Sequence, residues 1–197
     1  MTGPAGPRRS PSHRGFERTC RWAAWEAAVV AESGLVESTR LTVALDYGQF
    51  YLIGSAPPDG DVGLVDLIGQ ASGGDRIAQS GNLLVVLSPH QNNFEMELLV
   101  QRWDDEPPVD LPAWEEVFEA SIEVGESGLG YQSPTLTDHD LGVPPGCYGI
   151  RIAGRGFVNH GWPGSTTPGD EWRIQLWPST AKRTPRRIAR WAGPTKS

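Results

Sequence analysis

From residue 39 onward, hydrophobic residues recur with a period of two, in short segments about ten residues apart that prolines and glycines separate. That period places every second side chain on one face of an extended strand. TRLTVALDYGQFYLI alternates Leu41, Val43 and Leu45 against Arg40, Thr42 and Ala44, and Gly48 marks a bulge or a turn between two strands. FEMELLVQRW (94–103) sets Phe94, Met96, Leu98 and Val100 against Glu95, Glu97 and Gln101. CYGIRIAG (147–154) points Tyr148, Ile150 and Ile152 one way and Arg151 the other, and EWRIQLWP (171–178) alternates Trp172, Ile174 and Leu176 against Arg173, Gln175 and Trp177. NLLVVLSP (82–89) is apolar without a break, as a sandwich-core strand is. WEEVFEASIEVG (114–125) fits both periods, and we prefer a strand because β-branched residues gather at its end. VGLVDLIG (62–69) and LGYQSPTLT (129–137) read as shorter strands, while APPDGD, ASGGD and VPPG read as turns. The expected fold is all-β, an antiparallel β-sandwich of about eight to nine short strands.

The expected organisation has four parts. Residues 1–15, rich in Pro, Gly, Ser and Arg, form a disordered basic tail. Residues 16–34 form either a short amphipathic helix, with Trp22, Trp25 and Val29 on one face, or a loose extension upstream of the domain. Residues 39–178 form the acidic sandwich, and 179–197 a second basic, disordered tail. No apolar run approaches the roughly 20 residues of a membrane-spanning helix, so no membrane span is expected.

Charge is distributed unevenly. The chain holds 17 basic and 24 acidic residues. Residues 1–21 carry +4 and residues 182–197 carry +6, which leaves −17 on residues 22–181. A body of that charge repels nucleic acid and attracts basic proteins. Solubility alone is the plainer explanation. The densest acidic stretch is Glu95, Glu97, Asp104, Asp105, Glu106, Glu115, Glu116 and Glu119, with Arg102 the only opposite charge inside it. If a partner surface exists, this stretch is the expected place.

Catalytic motifs are absent: there is no phosphate loop, dinucleotide fingerprint or nucleophile elbow. Asp138, His139 and Asp140 are weak metal or acid–base candidates, because neighbours on an extended chain face opposite ways. His160 and Trp162, in the long 155–171 loop, could line a sugar or small-ligand site. Most of the other aromatic residues are expected in the core. Cys20 and Cys147 match neither a disulfide framework nor a zinc site. We read both as free thiols, expect no cofactor, and, finding no clean secretory leader, expect a cytoplasmic protein.

Two stretches carry a family resemblance. Asp46-Tyr47-Gly48-Gln49-Phe50-Tyr51-Leu52 resembles the opening "Tyr-x-Gln-Phe" strand of the competence protein J family. Pro144-Pro145-Gly146-Cys147-Tyr148-Gly149-Ile150-Arg151 is similar to that family's "Leu-Pro-x-Gly-x-Tyr" turn into a late strand. Together with Arg173–Pro178 these pairs also resemble uncharacterised actinobacterial proteins. The resemblance implies a small cytoplasmic β-sandwich that binds and inhibits a nuclease, with no catalytic residues to carry over. The extension before residue 39 and the basic C-terminus depart from the family pattern.

Three functions follow. The first is a non-enzymatic binding protein, an immunity or inhibitor protein for a basic partner such as a nuclease toxin. The second is a carbohydrate- or small-ligand-binding module using His160 and Trp162. The third is a metal-dependent enzyme built on Asp138, His139 and His160.

Overall fold

The computed structural model describes residues 34–54, 63–135, 138–157 and 169–193. His160, Trp162 and the expected 16–34 helix, apart from Gly34, lie outside these residues, as does Cys20. The strands are β1 (Leu35–Leu45), β2 (Gln49–Ile53), β3 (Ile77–Ser80), β4 (Leu83–Leu87), β5 (Asn93–Trp103), β6 (Glu116–Val124), β7 (Gly130–Gln132), β8 (His139–Asp140), β9 (Gly146–Arg155), β10 (Glu171–Pro178) and β11 (Arg186–Ala189). Among the described residues one α-helix, α1 (Leu64–Gly73), joins β2 to β3 in sequence.

The strands form two sheets. The larger has the order β1-β5-β10-β9-β6-β11, the smaller β3-β4-β2-β7-β8. Neighbours run antiparallel except β5 and β10, which are parallel. The inward residues of both sheets meet in one core: Val43, Phe50, Leu52, Leu84, Val86, Met96, Leu98, Phe118, Ile150, Ile152, Trp172 and Ile174 are all buried in it. Tyr131 stacks on Phe50, the Phe50 ring meets Trp172 edge-on, and Phe118 lies parallel to Trp172. Rings from both sheets thus interlock across the sandwich, as aligned sheets packed face to face require.

The chain crosses from the large sheet to the small one at Asp46-Tyr47-Gly48. Tyr47 and Gly48 both have positive φ, 52° and 68°, and Gln49 N donates to Asp46 O at 3.2 Å. Two consecutive positive φ values are the signature of a type I′ turn, so Gly48 marks a turn. A side chain other than glycine is strained at Tyr47's φ.

Besides the short strands β3 and β8, which were not expected, and Phe94, which is exposed although it alternates with Met96 and Leu98, sequence and structure differ chiefly in two places. The strand expected at 62–69 is the helix α1. Its apolar residues Leu64, Leu67, Ile68 and Ala71 repeat at three and four, not two, and this puts Leu67 and Ala71 on one buried face. They pack on Tyr51, Ala78 and Val85 on the outer side of the small sheet. That sheet is therefore covered on both faces, which is why β4 is apolar throughout. The second difference is at the C-terminus. The basic tail expected to be disordered contains β11, which pairs antiparallel with β6, Arg186 opposite Glu119 and Arg187 opposite Phe118.

Candidate protein-binding surface

The outer face of the large sheet carries polar residues, and ion pairs cover it where helix α1 covers the small sheet. Arg151, on β9, is 1% exposed. Its Nη2 donates to Glu119 Oε1 at 3.0 Å and to Glu106 Oε1 at 3.3 Å, and its Nη1 to the Pro107 carbonyl at 3.1 Å. The guanidinium also lies 5.4 Å from the centre of the Trp177 ring. Trp177 can lie there because position 149 is glycine: a Cβ at Gly149 would meet its indole at 2.5 Å. One strand over, Arg173 grips Asp110 with two hydrogen bonds of 2.7 and 2.6 Å and stacks on Trp114. The segment 104–115 is pinned over the sheet by these contacts.

The second cover is the C-terminal segment. On the outer face Arg183 donates to both oxygens of Glu106 and Arg186 to Glu119 Oε2 at 2.9 Å, while on the other face of β6 Arg187 donates to Glu116 Oε1 at 3.1 Å. Burial raises the Glu116 carboxyl above the ordinary carboxylate range, against the opposing pull of Arg76 and Arg187. At Glu119 burial pushes the same way, but hydrogen bonds from Arg186 and Arg151 outweigh it and the carboxyl sits below its ordinary value.

The eight acidic residues singled out in the sequence are therefore not one exposed face. Glu116 and Glu119 are buried, 1% and 5% exposed, because arginines of β9, β11 and the α1–β3 connection surround them. Glu106 is tied to Arg151 and Arg183, Glu97 to Arg40, and Glu115 accepts the Phe157 N–H at 2.8 Å. Glu95, Asp104 and Asp105 remain exposed, Glu95 near the start of β5 and the two aspartates just beyond its end. Pairwise charge-matching across strands hid this from the sequence, since Arg186 and Glu119 are 67 residues apart.

Nine of the ten described arginines are paired with a carboxylate of the chain itself. Among the described residues nineteen carboxylates face eleven cations. The exposed carboxylates without an ion pair are Asp66 and Asp75 around α1, Glu95, Asp104, Asp105, and a group of four, Glu123, Glu126, Asp138 and Asp140, at the β6–β7 turn and β8.

Asp138, His139 and Asp140 do not converge. Asp140 accepts the Gly142 N–H at 2.9 Å, while the His139 ring lies against Tyr131. No group of three potential metal ligands occurs among the described residues.

Three features had no sequence signal. Asp170 is buried and accepts from Asn93 Nδ2 at 2.5 Å and Trp172 Nε1 at 3.1 Å, with His90 Nδ1 3.2 Å away, so it ties the start of β10 to β5 and the loop before it. Asp46, also buried, accepts hydroxyls from Ser133 and Thr135 and fixes the β1–β2 turn. An open groove of about 590 Å³ runs between the 179–185 segment, the Gly81-Asn82 turn and the ends of β6 and β9, where Cys147 is exposed. Tyr47 and Phe94 stand at the β1–β2 corner, 64% and 44% exposed.

No family model and no curated protein matches the chain. Two solved structures are similar in fold. ComJ of Bacillus subtilis, described as an inhibitor of the DNA-degrading activity of NucA, shares 15% identity over 74% of this chain and 97% of its own, with a TM-score of 0.48. The structure described as crocagin biosynthetic gene J shares 16% identity over 73% of this chain and 97% of its own, with a TM-score of 0.46.

Proposed function

We propose that the chain is a non-enzymatic binding protein whose partner is a basic protein, with a nuclease as the leading class. One observation carries this reading: nearly every described arginine is spent on the chain's own carboxylates, while nine carboxylates stay exposed without an ion pair. A surface of that kind offers few cations to phosphates and a surplus of anions to a cationic protein. The resemblance over 46–52 and 144–151 supplies the nuclease. A nuclease site is built to accept phosphates, so carboxylates can occupy it. Exposed Tyr47 and Phe94 add the kind of aromatic anchor that concentrates binding energy at interfaces.

The test is inhibition. Adding the purified chain to basic nucleases of its host should block DNA cleavage by one of them at near-equal concentrations. The variant E123K/E126K/D138K/D140K should weaken that block at least tenfold. A chain that blocks no nuclease and binds no basic protein, or a block indifferent to this variant, contradicts the reading.

A further inference from the structure

Glu116 and Glu119 of β6, and Glu106 of the segment before it, share an arrangement. Each takes a cation from the body and at least one from the C-terminal segment. Glu119 gives Oε1 to Arg151 and Oε2 to Arg186. Glu116 gives Oε2 to Arg76 and Oε1 to Arg187. Glu106 gives Oε1 to Arg151, and both its oxygens to Arg183. Arg151 holds one oxygen of Glu119 and of Glu106 by hydrogen bonds, and Arg76 lies 3.7 Å from one oxygen of Glu116. Glu119 and Glu106 offer oxygens on the outer face of β6, and Glu116, of the same parity as Phe118, offers its own on the other face. Adjacent arginines on an extended strand point to opposite faces and so reach both, and the planar guanidinium fork suits carboxylates.

We infer that the β6 edge is the docking surface for an arginine-rich extended segment of a protein partner, and that β11 occupies it as an internal stand-in. The inference rests on the proposal that the partner is basic, and it adds to the exposed carboxylates of that proposal a second contact for the same partner. Strand addition to a sheet edge supplies backbone hydrogen bonds, and side-chain pockets then supply selectivity.

Three properties mark β11 as replaceable. It has four residues, of which only the Arg187 side chain is buried, against Glu116. Its register slips between Arg187 and Ala189, so Ile188 lacks a partner on β6. By contrast β6 and β9 pair without interruption over nine residues. The spacing of the stand-in also describes the ligand. Arg183, Arg186 and Arg187 reach the carboxylates, and Trp191 packs on the core edge against Phe157 at 5.7 Å between ring centres. The partner segment should therefore carry adjacent arginines, a third arginine upstream, and an aromatic residue four positions beyond the pair.

The experiment uses full-length protein and a labelled peptide of residues 182–193, with binding read by fluorescence anisotropy. The full-length variant R183S/R186S/R187S, with its own strand weakened, should bind the peptide at least tenfold more tightly than the native chain. Adding E116Q/E119Q to that variant should reverse the gain. Equal affinity in the native chain and the triple variant, or a gain that survives E116Q/E119Q, overturns the inference. Hydrogen exchange on the native chain needs no variant. Backbone amides of 186–189 should exchange at least 100-fold faster than those of β9 and β10, and equal rates overturn the inference. The peptide assay contains no partner protein, so its failure leaves the nuclease-inhibition test standing, and failure of that test leaves the peptide result standing.

Discussion

The two sheets of this sandwich are sealed on their outer faces by opposite means. The small sheet is covered by α1, whose Leu67 and Ala71 press on Tyr51 and Val85. The large sheet is covered by the 104–115 and 179–189 segments, held through Arg151, Arg173, Glu119 and Glu106. An apolar seal gains from removing surface from water and carries no titrating group, so it does not depend on pH. An ionic seal must first overcome the desolvation of its charges, so its net contribution is smaller while the loss of one partner is severe. The first design keeps a face closed. The second leaves a face that another set of charges can enter.

The contrast is broken most forcefully at Arg151. R151M leaves Glu119 buried with its β9 cation gone and Glu106 short of a partner. Breaking a buried pair of this kind costs about 3–5 kcal/mol, read as a lowered midpoint in urea unfolding. If R151M unfolds at the native midpoint, the outer face is not held by charge.

The matching cut in the apolar seal is L67A. Leu67 is fully buried, so the cost should be about 2–5 kcal/mol. Unlike that of R151M, this loss should keep the same size from pH 5 to pH 8. A loss that varies across that range would mean the two seals are not separate.

A smaller effect comes from pH. Glu116 sits above its ordinary value when folded, so its contribution is largest at low pH and is lost as pH rises through the folded value. Glu119 and Asp110 sit below theirs, and their contributions are lost as pH falls below the ordinary carboxylate range. Stability should therefore peak on the acid side of neutrality. E116Q should remove the decline above that peak and leave the acid loss intact, and thermal unfolding across pH would show whether it does.

The smallest effect is expected at the exposed Arg40–Glu97 pair, whose side chains are 62% and 43% exposed. R40A should cost at most about 1 kcal/mol, and less in high salt. A larger cost would show that exposed pairs on β1 matter as much as buried ones.

These differences also explain what could be read in advance. Strands β1, β5, β9 and β10 were legible because their residues alternate between apolar and polar. Helix α1 was misread because residues 62–69 are too short a window to separate a period of two from one of three to four. Leu64, Leu67 and Ile68 already repeat at three and four, and Ala71, outside that window, extends the repeat by another turn. The ionic seal was not legible at all. Glu116 and Glu119 read as surface residues because their partners, Arg76, Arg151, Arg186 and Arg187, are brought near only by the sheet order β9-β6-β11 and by the α1–β3 connection. The same ordering turned an apparently free basic tail into a strand.

The central claim is that an anionic surface, nine of whose ten described arginines are paired internally, recognises a cationic protein. The most direct test is the affinity for the inhibited nuclease measured across ionic strength from 20 to 500 mM, roughly a fivefold change in Debye length. The account predicts an association rate that falls steeply with salt while dissociation changes little. An association rate flat across that range would contradict it.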